Sequence, residues 1–394
     1  MKVKKRYLAA FAVTVAAAAT AILPMASSDA AVACAPAWSS TAIYVATNQA
    51  SQSGHNYTAK WWTQNESPAT HSGQWDVWAD NGTCGGTTTP TTPPPTGPTN
   101  PPSGLKMAAA PYIYPGWGNP PAPATVMNAT GVKAFTMAFV LANGCNPVWD
   151  GEGGLTGGVH ASTINAIRAA GGDVVPSFGG YSGNKLGPAC STPALLAGAY
   201  QKVISAFGLK AIDIDIENYD EFENFTVQDR ILGALKIIKQ NNPTIKTILT
   251  FGTTTSGPSA TGVRLVNQAK ALGANVDIFA IMPFDFGGGA NMYQNTVNAT
   301  EGLKNTVKSA FGYTDAQAYA RLGISGMNGL SDQQELTTVA TWTQIRDYAK
   351  SKGLARFTFW AVNRDRGCAG GGVVSNCSGI AQNDWDFTRV TAGF

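Results

Sequence analysis

Residues 85–104 read GGTTTPTTPPPTGPTNPPSG, and eighteen of these twenty positions are Gly, Thr or Pro. Such a stretch has no apolar side chains with which to build a core. It reads as an extended linker, reaching up to about 60 Å at the polyproline rise. The chain of 394 residues is thereby divided into a small module over 34–84 and a large one over 105–394.

Residues 1–30 read as a secretory signal peptide: a basic start (Lys2, Lys4, Lys5, Arg6), an apolar run from about Leu8 to Leu23, then small residues. The cut would fall after Ala30 or Ala33. A transmembrane anchor is the alternative, but the run is short and Pro24, Ser27, Ser28 and Asp29 break it. A lipoprotein site at Cys34 is disfavoured, because the apolar run ends too far upstream. Net charge then changes meaning. The whole chain carries 27 basic and 24 acidic residues; without residues 1–30 the counts are 27−4 = 23 and 24−1 = 23. A neutral mature chain argues against a nucleic-acid or membrane-surface partner.

The six cysteines (Cys34, Cys84, Cys145, Cys190, Cys368, Cys377) are an even number in an exported chain, which implies disulfides. Fifteen pairings are possible. The linker favours Cys34–Cys84, proximity favours Cys368–Cys377, and Cys145–Cys190 remains. With no CxxC and only three histidines, nothing suggests a metal. No cofactor is expected, and a monomer is.

The small module holds Trp38, Trp61, Trp62, Trp75 and Trp78, five of the chain's ten tryptophans. In about fifty residues not all can be buried, and a disulfide would supplement so small a core. Exposed flat aromatics suit stacking on sugar rings, although each Trp could equally be core. The segment Tyr57-Thr58-Ala59-Lys60-Trp61-Trp62-Thr63-Gln64-Asn65 resembles the signature of chitin-binding modules of the family 5/12 type. The resemblance extends from Ala35 to Trp78, with Trp38 and Tyr44 at matching spacing; Asn65 stands where that family usually has Gly. It implies a small all-β carbohydrate-binding module in which Tyr57, Trp61, Trp62 and Trp75 meet chitin.

The large module alternates short apolar runs with amphipathic segments. Strands are expected over 107–113, 133–139, 173–178, 211–216, 246–252, 276–282, 320–325 and 356–361. Between them lie helical patterns such as Thr192–Phe207, Val227–Gln240 and Val263–Leu272. Eight β-then-α units are the arithmetic of an α/β fold, a (β/α)8 TIM barrel. A doubly wound open sheet is the alternative, but no Gly-rich phosphate loop follows the first strand; Gly287-Gly288-Gly289 lacks the Lys and Ser/Thr of a P-loop.

The fourth strand reads Ala211-Ile212-Asp213-Ile214-Asp215-Ile216-Glu217. Alternation puts the isoleucines on one face and three carboxylates on the other, toward the barrel interior and its C-terminal mouth. Burying three acids together is costly unless they share protons. Like charges raise at least one pKa, so one acid stays protonated near neutrality. Glu217, nearest the mouth, is best placed to donate that proton. Acid catalysis without His or metal points to glycoside cleavage.

Asp213-x-Asp215-x-Glu217 resembles the DxxDxDxE motif of glycoside hydrolase family 18, which includes the chitinases. Ser177-Phe178-Gly179-Gly180 is similar to that family's SxGG motif. Phe359-Trp360 resembles the terminal Trp of its bacterial chitinases. The resemblance implies Glu217 as acid and then base, Asp215 as the group that orients the 2-acetamido arm, and Asp213 as its proton-sharing partner. It implies Trp360 as the floor of the subsite before the scissile bond, and Ser177 as support from the neighbouring strand. The acetamido oxygen would be the nucleophile, and configuration would be retained. Two departures stand out. Lys210 occupies the position of the motif's first Asp, near the strand base. Met282-Pro283-Phe284-Asp285 replaces Met-x-Tyr-Asp, so Phe284 cannot hold the acetamido group. Met282 and Asp285 still match as substrate contacts, and Tyr112, Tyr114 or Tyr181 could supply the missing hydroxyl.

Only about thirty residues separate Ser325 from Arg356. Deep-cleft members of the family it resembles insert a small domain there; this chain has no room for one, so the resemblance implies an open groove and endo action on chitin and chito-oligosaccharides. An endo-β-N-acetylglucosaminidase acting on N-glycans and a non-catalytic barrel lectin are the competing readings. The linker and chitin-type module disfavour the first, and the presence of Glu217 disfavours the second.

Overall fold

The computed structural model describes residues 32–45, 47–61, 63–73, 76–85, 107–151, 153–368 and 372–394. The expected export signal, nearly all of the expected linker, Trp62 and Trp75 lie outside the described residues. What is described falls into two compact units, one on each side of the Pro/Thr-rich stretch.

The small unit is all-β. Strands Gln49–Gln52, His55–Ala59 and Trp78–Thr83 form an antiparallel sheet, and Ile43–Tyr44 pairs with Thr63–Gln64. Ser53 and Gly54 both adopt positive φ (53° and 78°). Two left-handed residues in succession make the hairpin turn whose twist matches its strands. Tyr44 packs edge-on against the fully buried Trp78, with ring centroids 4.8 Å apart. Ala50, Tyr57 and Ala59 complete this core. Cys34 and Cys84 are bonded across 50 residues, closing the ends of a core too small to stand by apolar burial alone.

The large unit is the expected (β/α)8 barrel. Its strands are β1 (Tyr112–Ile113), β2 (Ala134–Asn143), β3 (Asp173–Gly179), β4 (Ala211–Ile216), β5 (Lys246–Gly252), β6 (Ile278–Met282), β7 (Leu322–Met327) and β8 (Arg356–Trp360). Each pairs in parallel with the next. The ring closes where Phe357 N–H donates to the Ala108 carbonyl at 2.8 Å, beside a parallel bridge from Ala109 to Phe357. β1 is shorter than its expected 107–113. Pro111 within that run lacks the N–H a continuous ladder needs.

The barrel helices are α1 (Pro123–Thr130), α2 (Gly158–Ala169), α3 (Pro193–Phe207), α4 (Phe225–Asn241), α5 (Ala260–Leu272), α6 (Met292–Phe311), α7 (Val339–Lys352) and α8 (Asp386–Ala392). Capping sets several of their starts. Thr192 and Ser259 accept from backbone N–H groups three residues on, so Thr192 caps α3 rather than joining it. Ile212, Ile214 and Ile216 face the helices within the main core, as alternation requires. Inside, Met107, Ala134, Val175, Ala211, Ile248 and Ile278 fill the barrel floor, below the carboxylates. Two hairpins went unanticipated. Asn146–Trp149 folds back antiparallel on β2, and Gly329–Leu330 pairs with Leu336–Thr337 after β7.

The other two disulfides join Cys145 to Cys190 and Cys368 to Cys377. Among the described residues no helix is long and apolar enough to cross a membrane.

Candidate active site

β4 lies between β3 and β5 with all six of its residues buried, so its acids are not a solvated edge. Asp213 sits deepest. Its Oδ2 accepts from Tyr112 Oη and Ser177 Oγ, each at 2.7 Å, and its Oδ1 from Thr250 Oγ1 at 2.6 Å. The donors come from β1, β3 and β5. Three hydroxyls on one carboxylate fix its orientation and satisfy it without water.

Asp215, one strand repeat nearer the mouth, is buried and has an oxygen without a partner. Burial, then the neighbouring Glu217 and Asp213 carboxyls, hold it well above the ordinary Asp range; Lys185 pulls the other way. Glu217 comes directly after the last residue of the strand, partly open to the groove. Loss of water raises its pKa to about 7, against the opposing pull of Lys185 and with help from Asp285 and Asp332. A carboxyl poised near neutrality can both give up and take back a proton at working pH.

Glu217 opens into a groove of about 980 Å³ lined by aromatic and acidic side chains. Trp360 forms one wall, stacked on Phe139 with centroids 5.6 Å apart and planes 12° from parallel. Tyr112 and Tyr114 flank it at 5.8 and 6.2 Å. Met282, Phe284 and Asp285 also line the groove. Burial, then Asp332 and Glu335, push the Asp285 carboxyl up to about 6. The backbone N–H of Asp285 donates to Glu335 Oε1, as does that of Phe286 at 3.2 Å. Asp332 and Glu335 belong to the hairpin after β7, which Arg364 holds by donating to the Leu330 carbonyl at 2.6 Å.

Of three sequence assignments, Ser177 stands as support for the acids, and Tyr112 and Tyr57 change. Ser177 is fully buried and touches Asp213, so it lies beneath the groove rather than in contact with a ligand. Tyr112 lines the groove with its ring, but its hydroxyl is committed to Asp213. Tyr57 is only 5% exposed, because its ring is needed in the small unit's core. Trp61, at 47% exposed, is presented to solvent. Of the tyrosines that could replace the hydroxyl missing at Phe284, Tyr114 faces Asp150 and Tyr112 is bonded to Asp213. Tyr181, 71% exposed on the groove wall, is the one whose hydroxyl remains uncommitted. Lys210 pairs with Asp173 at 2.8 Å, at the start of β3 and away from the mouth.

Sequence reasoning also missed two buried groups, Glu221 and Lys185. Glu221 lies four residues past Glu217, in a π-helical turn over Asn218–Phe222. Such turns concentrate at functional sites, but no periodicity announces them. Burial raises its carboxyl to about 8. Among the described residues no group of three or more His, Cys, Asp or Glu is placed to hold a metal.

No protein-family model matches the chain. It is 27% identical over 350 residues to a probable bifunctional chitinase/lysozyme of Escherichia coli, a match covering 84% of this chain and 38% of that protein. It is 25% identical over 275 residues to endochitinase 11 of Metarhizium anisopliae, covering 66% and 53%. The chain thus spans between about two fifths and one half of the length of these curated relatives. Among solved structures, the catalytic domain of a hyperthermophilic chitinase from Pyrococcus furiosus matches with a TM-score of 0.67 at 26% identity, over 72% of this chain and 93% of that one. Catalytic-site mutants of that chitinase's active domain 2, complexed with chito-oligosaccharides, match to the same extent.

Proposed function

We propose that the barrel is a glycoside hydrolase of the family 18 type and that this protein is a secreted chitinase. It cleaves β-1,4-linked N-acetylglucosamine chains internally, by substrate-assisted catalysis with retained configuration. The observation that carries the reading is the ladder of Asp213 and Asp215 on β4 with Glu217 just beyond it, anchored below by three hydroxyls and opening into the groove that Trp360 lines.

The sugar before the scissile bond stacks on Trp360. Glu217 gives its proton to the glycosidic oxygen as the bond from that oxygen to the anomeric carbon breaks. The substrate's own acetamido oxygen attacks that carbon and closes an oxazolinium ring. Asp215 holds the acetamido N–H and offsets the positive charge that develops there, which is electrostatic stabilisation by a preorganised group. Asp213, immobilised by Tyr112, Ser177 and Thr250, receives or returns the proton that Asp215 shares. Glu217, now ionised, takes a proton from water as that water opens the ring on the same face. Tyr181 supplies the hydroxyl that Phe284 lacks.

The basic-then-apolar start and the three disulfides support export. Trp61 on the small unit, with Trp62 and Trp75, would hold the enzyme on insoluble chitin. Product analysis of chito-oligosaccharides by chain length and anomeric form tests the reading. Internal cleavage with retained β-anomers is expected; inverted products, or equal cleavage of a glucan lacking the acetamido group, would refute it.

A further inference from the structure

One cation is built into the acidic cluster, and the mechanism above gives it no task. Lys185 is only 3% exposed, whereas lysine is among the residues least often buried. Its Nζ donates to the carbonyls of Tyr181 at 3.1 Å and Gly183 at 3.0 Å. Its charge acts on Asp215, Glu217 and Glu221, and among the described residues no other cation acts on all three.

Both flanks of this arrangement are constrained. The segment carrying Lys185 runs on through the short helix Leu186–Ala189 to Cys190, which is bonded to Cys145. Glu221 is buried from the π-helical turn after β4. One of its oxygens accepts from the Gly187 N–H, and the other has no partner. A Cβ at Gly187 would stand 2.5 Å from Glu221 Oε1, and one at Gly179 would stand 3.3 Å from Oε2. Two glycines thus leave the slot that the carboxyl fills. A buried ammonium is a poor stabilising device, since apolar side chains of similar size commonly do as well.

We propose that Lys185 is a positioning residue for the reaction, the buried cation around which Asp215, Glu217 and Glu221 are held at the right charge. This rests on the hydrolase reading above. The other ionisable groups facing the cluster are Asp213 and Tyr112 toward Asp215, Asp285 and Asp332 toward Glu217, and Asp220 and Tyr200 toward Glu221. Apart from Lys185, therefore, every charged neighbour is an acid. A nearby cation favours the ionised form of a carboxyl, so its removal leaves the proton more firmly on Glu217. The acid would then be harder to ionise for its second role as base.

The test is a ¹³C titration of the Glu217 carboxyl in the full-length chain, comparing wild type, Lys185→Gln and Lys185→Arg. Gln keeps an N–H for the two carbonyls and drops the charge; Arg keeps the charge. The midpoint is expected to rise by about one unit in K185Q and to stay within a few tenths in K185R. An unmoved or lowered midpoint in K185Q overturns the proposal. If K185Q does not fold, Lys185→Met, which fills the space with an apolar stem, is read in the same way. The kcat of the same variants on a soluble chito-oligosaccharide should lose its basic limb at correspondingly higher pH, with KM within about twofold of wild type. Failure of the wild-type chain to cleave that substrate contradicts the hydrolase reading and leaves the titration result standing. Cleavage with an unmoved Glu217 midpoint contradicts the role of Lys185 alone.

Discussion

Tyr112 and Asp213 are 101 residues apart in sequence and joined by a 2.7 Å hydrogen bond inside the barrel. The bond ties the first strand to the fourth at the level where the acid ladder begins. It also explains why an aromatic hydroxyl faces inward among carboxylates.

Tyr112→Phe removes that donor and keeps the ring beside Trp360. A hydrogen bond to a charged group is worth about 1.5–3 kcal/mol. The variant should fold with a lowered Tm and lose about tenfold or more in kcat, with KM within about twofold. Steady-state kinetics alongside thermal unfolding checks this. Full activity with unchanged stability would show that Ser177 and Thr250 suffice to hold Asp213.

The buried acids also predict how stability varies with pH. Glu217 and Glu221 have folded-state pKa values raised from 4.5 to about 7 and about 8. A carboxyl raised in this way contributes stability when protonated, and that contribution is lost as pH rises through its folded value. Stability from these two groups should therefore fall between about pH 4.5 and 8. Glu221→Gln keeps a neutral group in the slot. Above pH 8 it should unfold at a higher temperature than wild type, by about 2–4 °C for each kcal/mol gained. At pH 4.5 the two should nearly coincide. Unfolding curves at several pH values decide it; a variant less stable than wild type at pH 9 contradicts the assignment.

Much of this architecture could be read from the residues. All eight barrel strands occur where apolar runs are expected, and the Ile/Asp alternation of β4 is enough to place the carboxylates inside. What escaped has a common physical cause. The hairpins at 146–149 and 329–337 are too short for a periodic signal. Lys185 and Glu221 sit in turns without a periodic signal: the Lys185 Nζ curls back onto the Tyr181 and Gly183 carbonyls, and Glu221 turns into the slot that Gly179 and Gly187 leave. Tyr57 was misassigned because a motif records which residues recur, not which way each points.

Trp61 carries the small unit's testable share. It is the one of the four expected chitin contacts that the described residues present to solvent. Trp61→Ala should weaken retention on insoluble chitin by about tenfold or more, since an exposed Trp anchor is commonly worth about 2 kcal/mol. Turnover of soluble chito-oligosaccharide should be unchanged. Pull-down on chitin beads, paired with a soluble assay, separates the two. Equal losses in both would contradict a division between binding and cleavage.

The central claim is that Glu217 is the proton donor of an acetamido-assisted glycoside hydrolase, and Glu217→Gln tests it most directly. Gln preserves the shape of the side chain at the groove and cannot donate a proton as an acid. General acid catalysis contributes at least about 10²-fold. Turnover of a chito-oligosaccharide by E217Q should therefore fall by that factor or more, while its affinity, measured calorimetrically, stays within about threefold of wild type. Residual kcat within about tenfold of wild type would contradict the account.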